Sequence, residues 1–275
     1  MMKRKELSLQ DLHVFSVEIL SKIDLFCKQN RIRYSLGYGS LLGAIRHKGF
    51  IPWDDDIDLL LPRPDYDRFV NTFQVEGLKC VAPEVGNSYL TFGRVVDTEK
   101  TVCDALLRWA DDDRNYGVWI DVFAMDGEPD DPNEFSLFVK KCQEISERSR
   151  QVRGALQKLS WSNSPIWNLK LLRKRLLYGM LDPRAICEEM SGLLKTCPYV
   201  SSEYAGLLSF PVYGLKNRTR KEVFESYTTA VFEGQEFSIL AGYDEFLHDI
   251  YGDYMKLPPA EQQVPKHSFH KFYWK

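Results

Sequence analysis

The sequence lacks an excess of charge of either sign and lacks any long apolar run. Its 275 residues include 36 Lys and Arg against 39 Asp and Glu, for a formal net charge of −3. Non-specific nucleic-acid binding depends on a basic surface, so we expect no nucleic-acid partner. No segment approaches the roughly 18 uninterrupted apolar residues of a membrane span. The N-terminal segment turns polar at Glu6, before the apolar part of an export signal forms.

The sequence also lacks a C-x-x-C pair and any compact cysteine framework. Its six cysteines are scattered: Cys27, Cys80, Cys103, Cys142, Cys187 and Cys197. In a chain of this size without an export signal, such cysteines are typical of reduced thiols that lie mostly in the core. We therefore expect a cytoplasmic protein. The 44% hydrophobic and 13% aromatic content is enough for a sizeable core.

Apolar spacing predicts alternating helices and strands in the first half of the chain. Residues 8–29 carry apolar side chains at helical spacing, and a Gly-rich turn precedes a second helix that begins at Ser40. Pro62 and Pro64 end an extended stretch over 50–61, and a helix follows over 65–73. Further strands are predicted over 78–82, 89–96 and 116–123. This order predicts an α/β (α+β) core with a small mixed sheet flanked by helices.

The second half of the sequence reads as mainly helical. A loop over 126–134 leads into a helix-rich region, roughly 132–195, whose connecting segments include SWSNSP and LDP. Strands are predicted over 205–210 and 230–240, and a helix is predicted near YDEFLHDIYG.

Four aspartates occupy five consecutive positions from Asp54 to Asp58, directly before three leucines. Side chains at alternate positions of an extended chain share a face, which predicts that Asp54, Asp56 and Asp58 project together while Asp55 faces the other way. Crowded carboxylates repel one another but suit a hard divalent cation. An EF-hand would need Gly where Leu59 stands, so we reject that site. A solvated acidic turn is the remaining alternative.

A short Gly-rich turn, Gly37-Tyr38-Gly39-Ser40, precedes the acidic run. Free backbone N–H groups and the helix dipole at such a turn favour phosphate, although the motif on its own is better explained by an ordinary tight turn. A phosphate-binding turn followed by strand-borne aspartates is the arrangement of nucleotidyltransferase-type enzymes.

The run GSLLGAIRHKGFIPWDDDIDLLLPRPDYDRF resembles the signature of the LicD family, the phosphocholine transferase group of the nucleotidyltransferase superfamily, which includes the fukutin-related transferases. The segments GRVVDTEKT, WIDVFAMDG and YGDYMKLPP also fit the family pattern. The resemblance implies a nucleotidyltransferase-like core at 1–130. It also implies a helix-rich region and C-terminal extension at 131–275, packed on that core as one globule.

The same resemblance implies site residues. Asp56 and Asp58 would be paired metal ligands with Asp54 beside them, and Gly39 and Ser40 would form the phosphate turn. A third carboxylate from a neighbouring strand would be Asp121, as a ligand or a general base; a carboxylate satisfied by a core hydrogen bond is the alternative.

The implied reaction is the transfer of a phosphorylated alcohol, with phosphocholine from CDP-choline expected, to a hydroxyl of a cell-surface glycan such as lipopolysaccharide, teichoic acid or capsule. Mg²⁺ or Mn²⁺ would be the cofactor. Three alternatives stay open: glycosyl transfer through an Asp-x-Asp motif, transfer of the nucleotide itself, and a non-catalytic binding protein with the same fold. Aromatic residues would bind a quaternary ammonium, but the sequence does not identify which ones.

Several basic residues near these motifs have two readings. Arg46 and Arg94 are candidate phosphate clamps, and surface ion pairs are the alternative. His47 either orients the substrate or caps a turn. His267 and His270 look like a metal pair, but we expect a mobile C-terminal location that argues against a metal site.

The segment IWNLKLLRKRLLYGML at 166–181 combines leucines with Lys170, Arg173, Lys174 and Arg175. It is expected to pack on the core with a basic outer face. The alternative is a peripheral contact with an anionic membrane surface, where a lipid-linked acceptor would lie.

Overall fold

The computed structural model describes residues 4–104, 107–157, 164–264 and 271–275, and it confirms a mixed α+β fold. Seven α-helices lie within these residues: α1 Leu9–Asn30, α2 Tyr38–Arg46, α3 Arg63–Thr72, α4 Pro132–Ala155, α5 Pro165–Tyr178, α6 Pro183–Leu194 and α7 Tyr243–Tyr251. The strands are β1 Ser35–Leu36, β2 Asp58–Pro62, β3 Leu78–Val81, β4 Gly93–Asp97, β5 Thr101–Asp104, β6 Trp119–Gly127, β7 Tyr204–Gly206, β8 Thr219–Arg220, β9 Tyr227–Phe232, β10 Gln235–Leu240 and β11 Lys271–Trp274.

The central sheet has the strand order β1-β2-β6-β4-β3, and β7 and β8 extend it from the end of β6. Strands β2 and β6 are parallel, whereas the other pairs are antiparallel. The apolar run of Leu59, Leu60 and Leu61 is buried in β2 because this strand lies between β1 and β6. Two small antiparallel sheets, β9 with β10 and β5 with β11, complete the fold.

Local signals set the helix starts. In α1, the Ser8 side chain accepts a hydrogen bond from the Asp11 N–H, and the Asp11 carboxylate accepts one from the Ser8 N–H at 2.9 Å. This reciprocal pair is a capping box. Helices α4, α5 and α6 each begin with proline, whose fixed φ suits the first helical position.

Two hydrophobic clusters form the core. The larger one surrounds the central sheet and draws residues from Leu7 to Phe272. The smaller one lies mainly between α4 and α6, around Phe135, Val139 and Met190. All six cysteines are free and five of them are buried, which confirms the expectation of reduced thiols. The division of the chain at residue 130 stays a prediction.

Several predicted elements have other bounds. The predicted strand over 50–61 is formed only from Asp58, because the Asp54 N–H bonds to the Ile51 carbonyl in a turn that contains Pro52. The segment 230–240 is part of the hairpin β9–β10, which turns at Glu233 and Gly234, both with positive φ. Strands β5, β8 and β11 were not predicted. The pairing of β11 with β5 contradicts a mobile C-terminal end for residues 271–274.

Helix α5 does not pack as expected. Among its apolar residues only Leu171 is buried, and most of the other leucines face solvent. The prediction that this segment packs on the core with a basic outer face was therefore wrong in part, because its outer face is also apolar. No helix among the described residues combines the length and the apolarity that a membrane span requires. The predicted connecting segment SWSNSP lies outside the described residues except for its last two positions.

Candidate active site

Three consecutive acids, Asp54, Asp55 and Asp56, lie in the loop between α2 and β2. One carboxylate oxygen from each lies within 4.8 Å of the others. The prediction that Asp55 faces away was therefore wrong, because the alternation of a strand does not apply to a loop. All three side chains are half-buried, and their oxygens form a group of the size that a hard cation occupies.

Asp58 begins β2, and Asp121 lies directly opposite it on the parallel strand β6. The predicted third carboxylate from a neighbouring strand is thus opposite Asp58. Burial first, and then the negative charges of Asp56, Asp121 and Asp54, raise the pKa of Asp58 well above its usual range, while Arg94 opposes that rise. The structure therefore brings together all four acids expected at the site and adds Asp55 to them.

The start of α2 fixes the position of these acids. A Cβ on Gly39 would lie 2.6 Å from a carboxylate oxygen of Asp54, so only glycine allows this approach. The Ser40 hydroxyl accepts a hydrogen bond from the Asp58 N–H at 2.9 Å. The helix begins at Tyr38, two residues before the predicted start, with Gly37 as its N-cap. The Gly-Ser turn therefore contacts the acids directly.

Tyr38 has a φ of 41°, which is strained for a side chain of this size. Its hydroxyl donates to the Asn217 Oδ1 at 3.0 Å, and its ring stacks on Tyr213 with centroids 4.7 Å apart. These contacts hold the strained residue between α2 and the segment after β7.

Three tyrosines, Tyr38, Tyr213 and Tyr251, lie near Asp58. The Tyr213 and Tyr251 hydroxyls lie 3.1 Å apart, and both side chains are half-buried. Burial raises the pKa of Tyr213 to about 12, and the carboxylates of Asp58, Asp54 and Asp56 add to this rise. Sequence reasoning did not identify Tyr213, which lies in none of the family segments. Tyr251 could have been identified, because it is the first residue of the YGDYMKLPP segment.

Arg94 forms a buried ion pair with Asp121. Its Nε and Nη2 donate to the two carboxylate oxygens at 2.5 and 3.1 Å. The guanidinium carbon lies 4.1 Å from the Trp119 ring centroid and 4.6 Å from that of Trp109. Arg94 is therefore not a surface ion-pair partner, since its charge is paired inside the protein with Asp121, and its role as a phosphate clamp stays a prediction.

Arg153, in the last turn of α4, was not singled out from the sequence. Its Nε is buried and has no hydrogen-bond partner, and the same is true of the Trp109 Nε1. Burial and then the charge of Arg94 lower the pKa of Arg153 to about 10, whereas Asp121 acts in the opposite direction. Buried donors without acceptors thus lie beside the Arg94–Asp121 pair. Their proximity depends on tertiary packing, so no local pattern signals it.

The other basic candidates have structural contacts. Arg46 Nη1 donates to the Tyr254 carbonyl at 2.7 Å, and its Nε donates to the His47 Nε2 at 2.9 Å. His47 is the C-cap of α2. These contacts tie α2 to the segment after α7. His267 and His270 lie outside the described residues.

Comparison with known proteins decides the family. Residues 31–149, which include all of these aspartates, match the family described as LicD/FKTN/FKRP, nucleotidyltransferase domain. The chain is 33% identical over 273 residues to a Haemophilus influenzae protein named lipopolysaccharide cholinephosphotransferase LicD, covering 96% of this chain and 97% of that protein. The chain belongs to the LicD family.

Shorter matches connect this LicD-family chain to two uncharacterized proteins. One, from Rickettsia typhi, is 40% identical over 67 residues, 24% of this chain and 19% of its own length. The other, from Rickettsia prowazekii, is 42% identical over 62 residues, 22% of this chain and 21% of its own length. These matches carry no functional name, so the Haemophilus influenzae relative is the informative one.

Proposed function

We propose that this LicD-family protein transfers phosphocholine from CDP-choline to a hydroxyl group of a glycan, with a divalent metal as cofactor. The observation that carries the proposal is the carboxylate group formed by Asp54–Asp56 together with the facing pair Asp58 and Asp121. The name of the Haemophilus influenzae relative supports phosphocholine as the transferred group and lipopolysaccharide as the type of acceptor.

The donor set fits a hard cation. Asp54, Asp55 and Asp56 offer carboxylate oxygens within 4.8 Å of one another, and Asp58 with the facing Asp121 follows them. We assign Asp56 and Asp58 as the metal ligands, as the family resemblance implies, with Asp55 as a further oxygen. A bound Mg²⁺ or Mn²⁺ would neutralise the donor diphosphate and the charge on departing CMP. A cation would also offset the repulsion that, after burial, raises the pKa of Asp58.

The reaction needs one bond made and one broken. The acceptor hydroxyl oxygen would attack the phosphorus that bears choline, the P–O bond to CMP would break, and CMP would leave with the bridging oxygen. A general base must take the hydroxyl proton. Both oxygens of Asp121 accept from Arg94, which leaves this residue ill placed as a base. We therefore assign the base to Asp54, and Asp121 supports the site through its Arg94 pair.

Backbone and arginine donors would bind the diphosphate. The N–H groups at the start of α2 lie beside Asp54, where the helix dipole favours phosphate oxygens. Arg153 and Trp109 carry buried donors without acceptors, and a phosphate oxygen would satisfy them. Pre-positioned donors of this kind stabilise charge that develops in the transition state.

The choline group would lie against tyrosine rings. Tyr213 and Tyr251 border the acids and are half-buried, so each retains exposed ring surface. A quaternary ammonium binds aromatic faces through cation–π contact, typically gaining about 0.5–2 kcal/mol. The six free cysteines and a nucleotide-activated donor both fit a cytoplasmic location, which we also propose.

Product analysis tests the proposal. CDP-choline labelled separately in choline and in cytidine is incubated with lipopolysaccharide that lacks phosphocholine, with MgCl₂ or with EDTA. The expected result is choline label on the acceptor, cytidine label in free CMP, and neither product in EDTA. Cytidine label joined to the acceptor would instead support nucleotidyl transfer, and metal-independent binding of CDP-choline without turnover would support a non-catalytic protein.

A further inference from the structure

Helix α5 and the two residues that follow its C-cap, together residues 165–181, expose an unusual apolar surface. The most exposed side chains are Met180 at 99%, Leu176 at 85%, Ile166 at 69% and Leu169 at 67%, followed by Leu177, Leu172 and Leu181. Soluble monomers rarely expose so many large apolar side chains on one element unless that surface binds something.

Helical geometry places these residues on one side. Leu169, Leu172 and Leu176 recur at three- and four-residue spacing, so they form one outward stripe, and the exposed Met180 follows just after the helix ends. The opposite side is attached to the protein: Leu171 is buried, and the Arg175 Nε donates to the Ala155 carbonyl at 3.2 Å. The helix is therefore held by one face and offers the other to solvent.

All the charged side chains of this segment are positive. Lys170, Arg173, Lys174 and Arg175 lie within residues 165–181, which contain no Asp or Glu. Lys170 and Arg173 are exposed and lie next to the apolar stripe. We infer that α5 binds an anionic membrane surface, with its leucines in the boundary of the acyl chains and its basic side chains on the lipid headgroups.

Charge argues against a second copy of this chain as the occupant. A symmetric dimer through α5 would place the same helix on itself, so the exposed Lys170 and Arg173 of one copy would face those of the other. Like charges across an interface cost binding energy, whereas each Lys or Arg near an anionic membrane gains about 1 kcal/mol. The protein as a whole is slightly acidic, so the attraction must come from this segment.

Helix α5 packs on the end of α4 that lies near the acidic site. The Lys174 Nζ lies 3.1 Å from the position of a Cβ on Gly154, which is adjacent to Arg153. Arg153 in turn is close enough to Asp121 for the two charges to influence each other. If the proposed function holds, a membrane at α5 would bring a lipid-linked acceptor to the side of the protein where α4 meets the active site. This last step alone rests on the proposed function.

Vesicle co-sedimentation tests the inference without any enzymatic readout. The probes are vesicles of phosphatidylcholine alone and of phosphatidylcholine with phosphatidylglycerol. The variants are L169E/L172E/L176E on α5, K170E/R173E on α5, and the matched control V14E/L25E/L137E, which places three glutamates at exposed apolar positions of α1 and α4. Thermal melting confirms that each variant is folded.

We expect the wild type and the α1/α4 control to bind anionic vesicles at least fivefold more than neutral ones, and both α5 variants to lose this binding. CMP release with a soluble acceptor should not change in the α5 variants. No binding by the wild type, equal binding by the α5 variants, or a wild-type dimer that the α5 leucine variant converts to monomer would overturn the inference. A protein that binds vesicles but releases no CMP would refute the proposed function alone.

Discussion

Gly39 approaches Asp54 so closely that a Cβ at this position would lie 2.6 Å from a carboxylate oxygen. The contact joins the first turn of α2 to the loop that carries the acids, and it explains why a glycine stands here although α2 does not need one for its own φ and ψ. Because of this close approach, even the methyl group of alanine at position 39 would displace the Asp54 side chain.

Gly39→Ala should displace Asp54 and lower kcat/KM for CDP-choline by about tenfold or more, because a shift of about 1 Å at a reacting group costs that much. Stability should change by less than about 1 kcal/mol, since alanine suits a helix. The matched control is Gly192→Ala in α6, where a Cβ meets nothing within 4 Å. Full activity in Gly39→Ala would contradict a catalytic role for Asp54.

Arg153→Gln should separate stability from activity. The Arg153 Nε is buried and has no hydrogen-bond partner, so replacing this guanidinium should leave thermal stability unchanged or raise it. Losing a phosphate contact should raise the KM for CDP-choline by about tenfold, as expected for a charged hydrogen bond of about 1.5–3 kcal/mol. The control is Arg150→Gln, an exposed neighbour on the same helix whose partner is Glu147. A KM equal to that of the wild type would show that Arg153 does not contact the donor.

Tyr213 should discriminate between donor head groups. Tyr213→Leu removes the ring and should raise the KM for CDP-choline by about tenfold, equivalent to about 1–2 kcal/mol of lost cation–π contact, with a smaller effect on CDP-ethanolamine. Tyr213→Phe keeps the ring and should retain the preference for choline. Steady-state kinetics with both donors measures this. Equal losses for the two donors in Tyr213→Leu would indicate a structural role through the stacking on Tyr38.

Glu128 should make stability depend on pH. It is buried, and neither carboxylate oxygen has a hydrogen-bond partner. Burial raises the pKa of Glu128 from 4.5 to about 9, although Arg218 opposes the rise. Between these values the folded state holds a proton that the unfolded state has released, so stability falls as pH rises from about 4.5 to 9.

Glu128→Gln keeps a side chain of the same size but removes the ionisable carboxyl group. Its melting temperature should exceed that of the wild type by an amount that grows from pH 5 to pH 9 and corresponds to about 1–3 kcal/mol at pH 8. The exposed Glu144→Gln on α4 is the control. Parallel pH profiles for the wild type and Glu128→Gln would show that Glu128 is not a buried, proton-holding group.

Local sequence patterns predicted the elements that depend on nearby residues. The helix over 8–29 agrees with α1 within one residue at each end, since the capping box and the apolar spacing are both local. The three leucines after Asp58 indicated a buried strand. Asp121, in the apolar run WIDVF, was predicted as an acid on a neighbouring strand, and it lies opposite Asp58.

Other features depend on contacts between distant segments. Asp55 joins the acids because a turn at Pro52 precedes the strand, and Tyr213 is distant from Tyr38 in the sequence but stacks on it in the fold. The sequence of α4 does not predict that Arg153 lies near Arg94 and Asp121, which belong to β4 and β6. The outward leucines of α5 are an exception to the usual rule that an apolar stripe faces the core.

The binding of Mn²⁺ by the carboxylates tests the central claim most directly. Electron paramagnetic resonance measures free Mn²⁺ as it is titrated into protein with CDP-choline present, for the wild type, D56N/D58N and the exposed control Asp67→Asn. We predict that D56N/D58N binds at least 100-fold more weakly than the other two, since two ligands are lost. It should melt at the same or a higher temperature in EDTA, because less negative charge is crowded at the site. Equal Mn²⁺ binding by all three proteins, or none by the wild type, would contradict the assignment of these aspartates to a metal site.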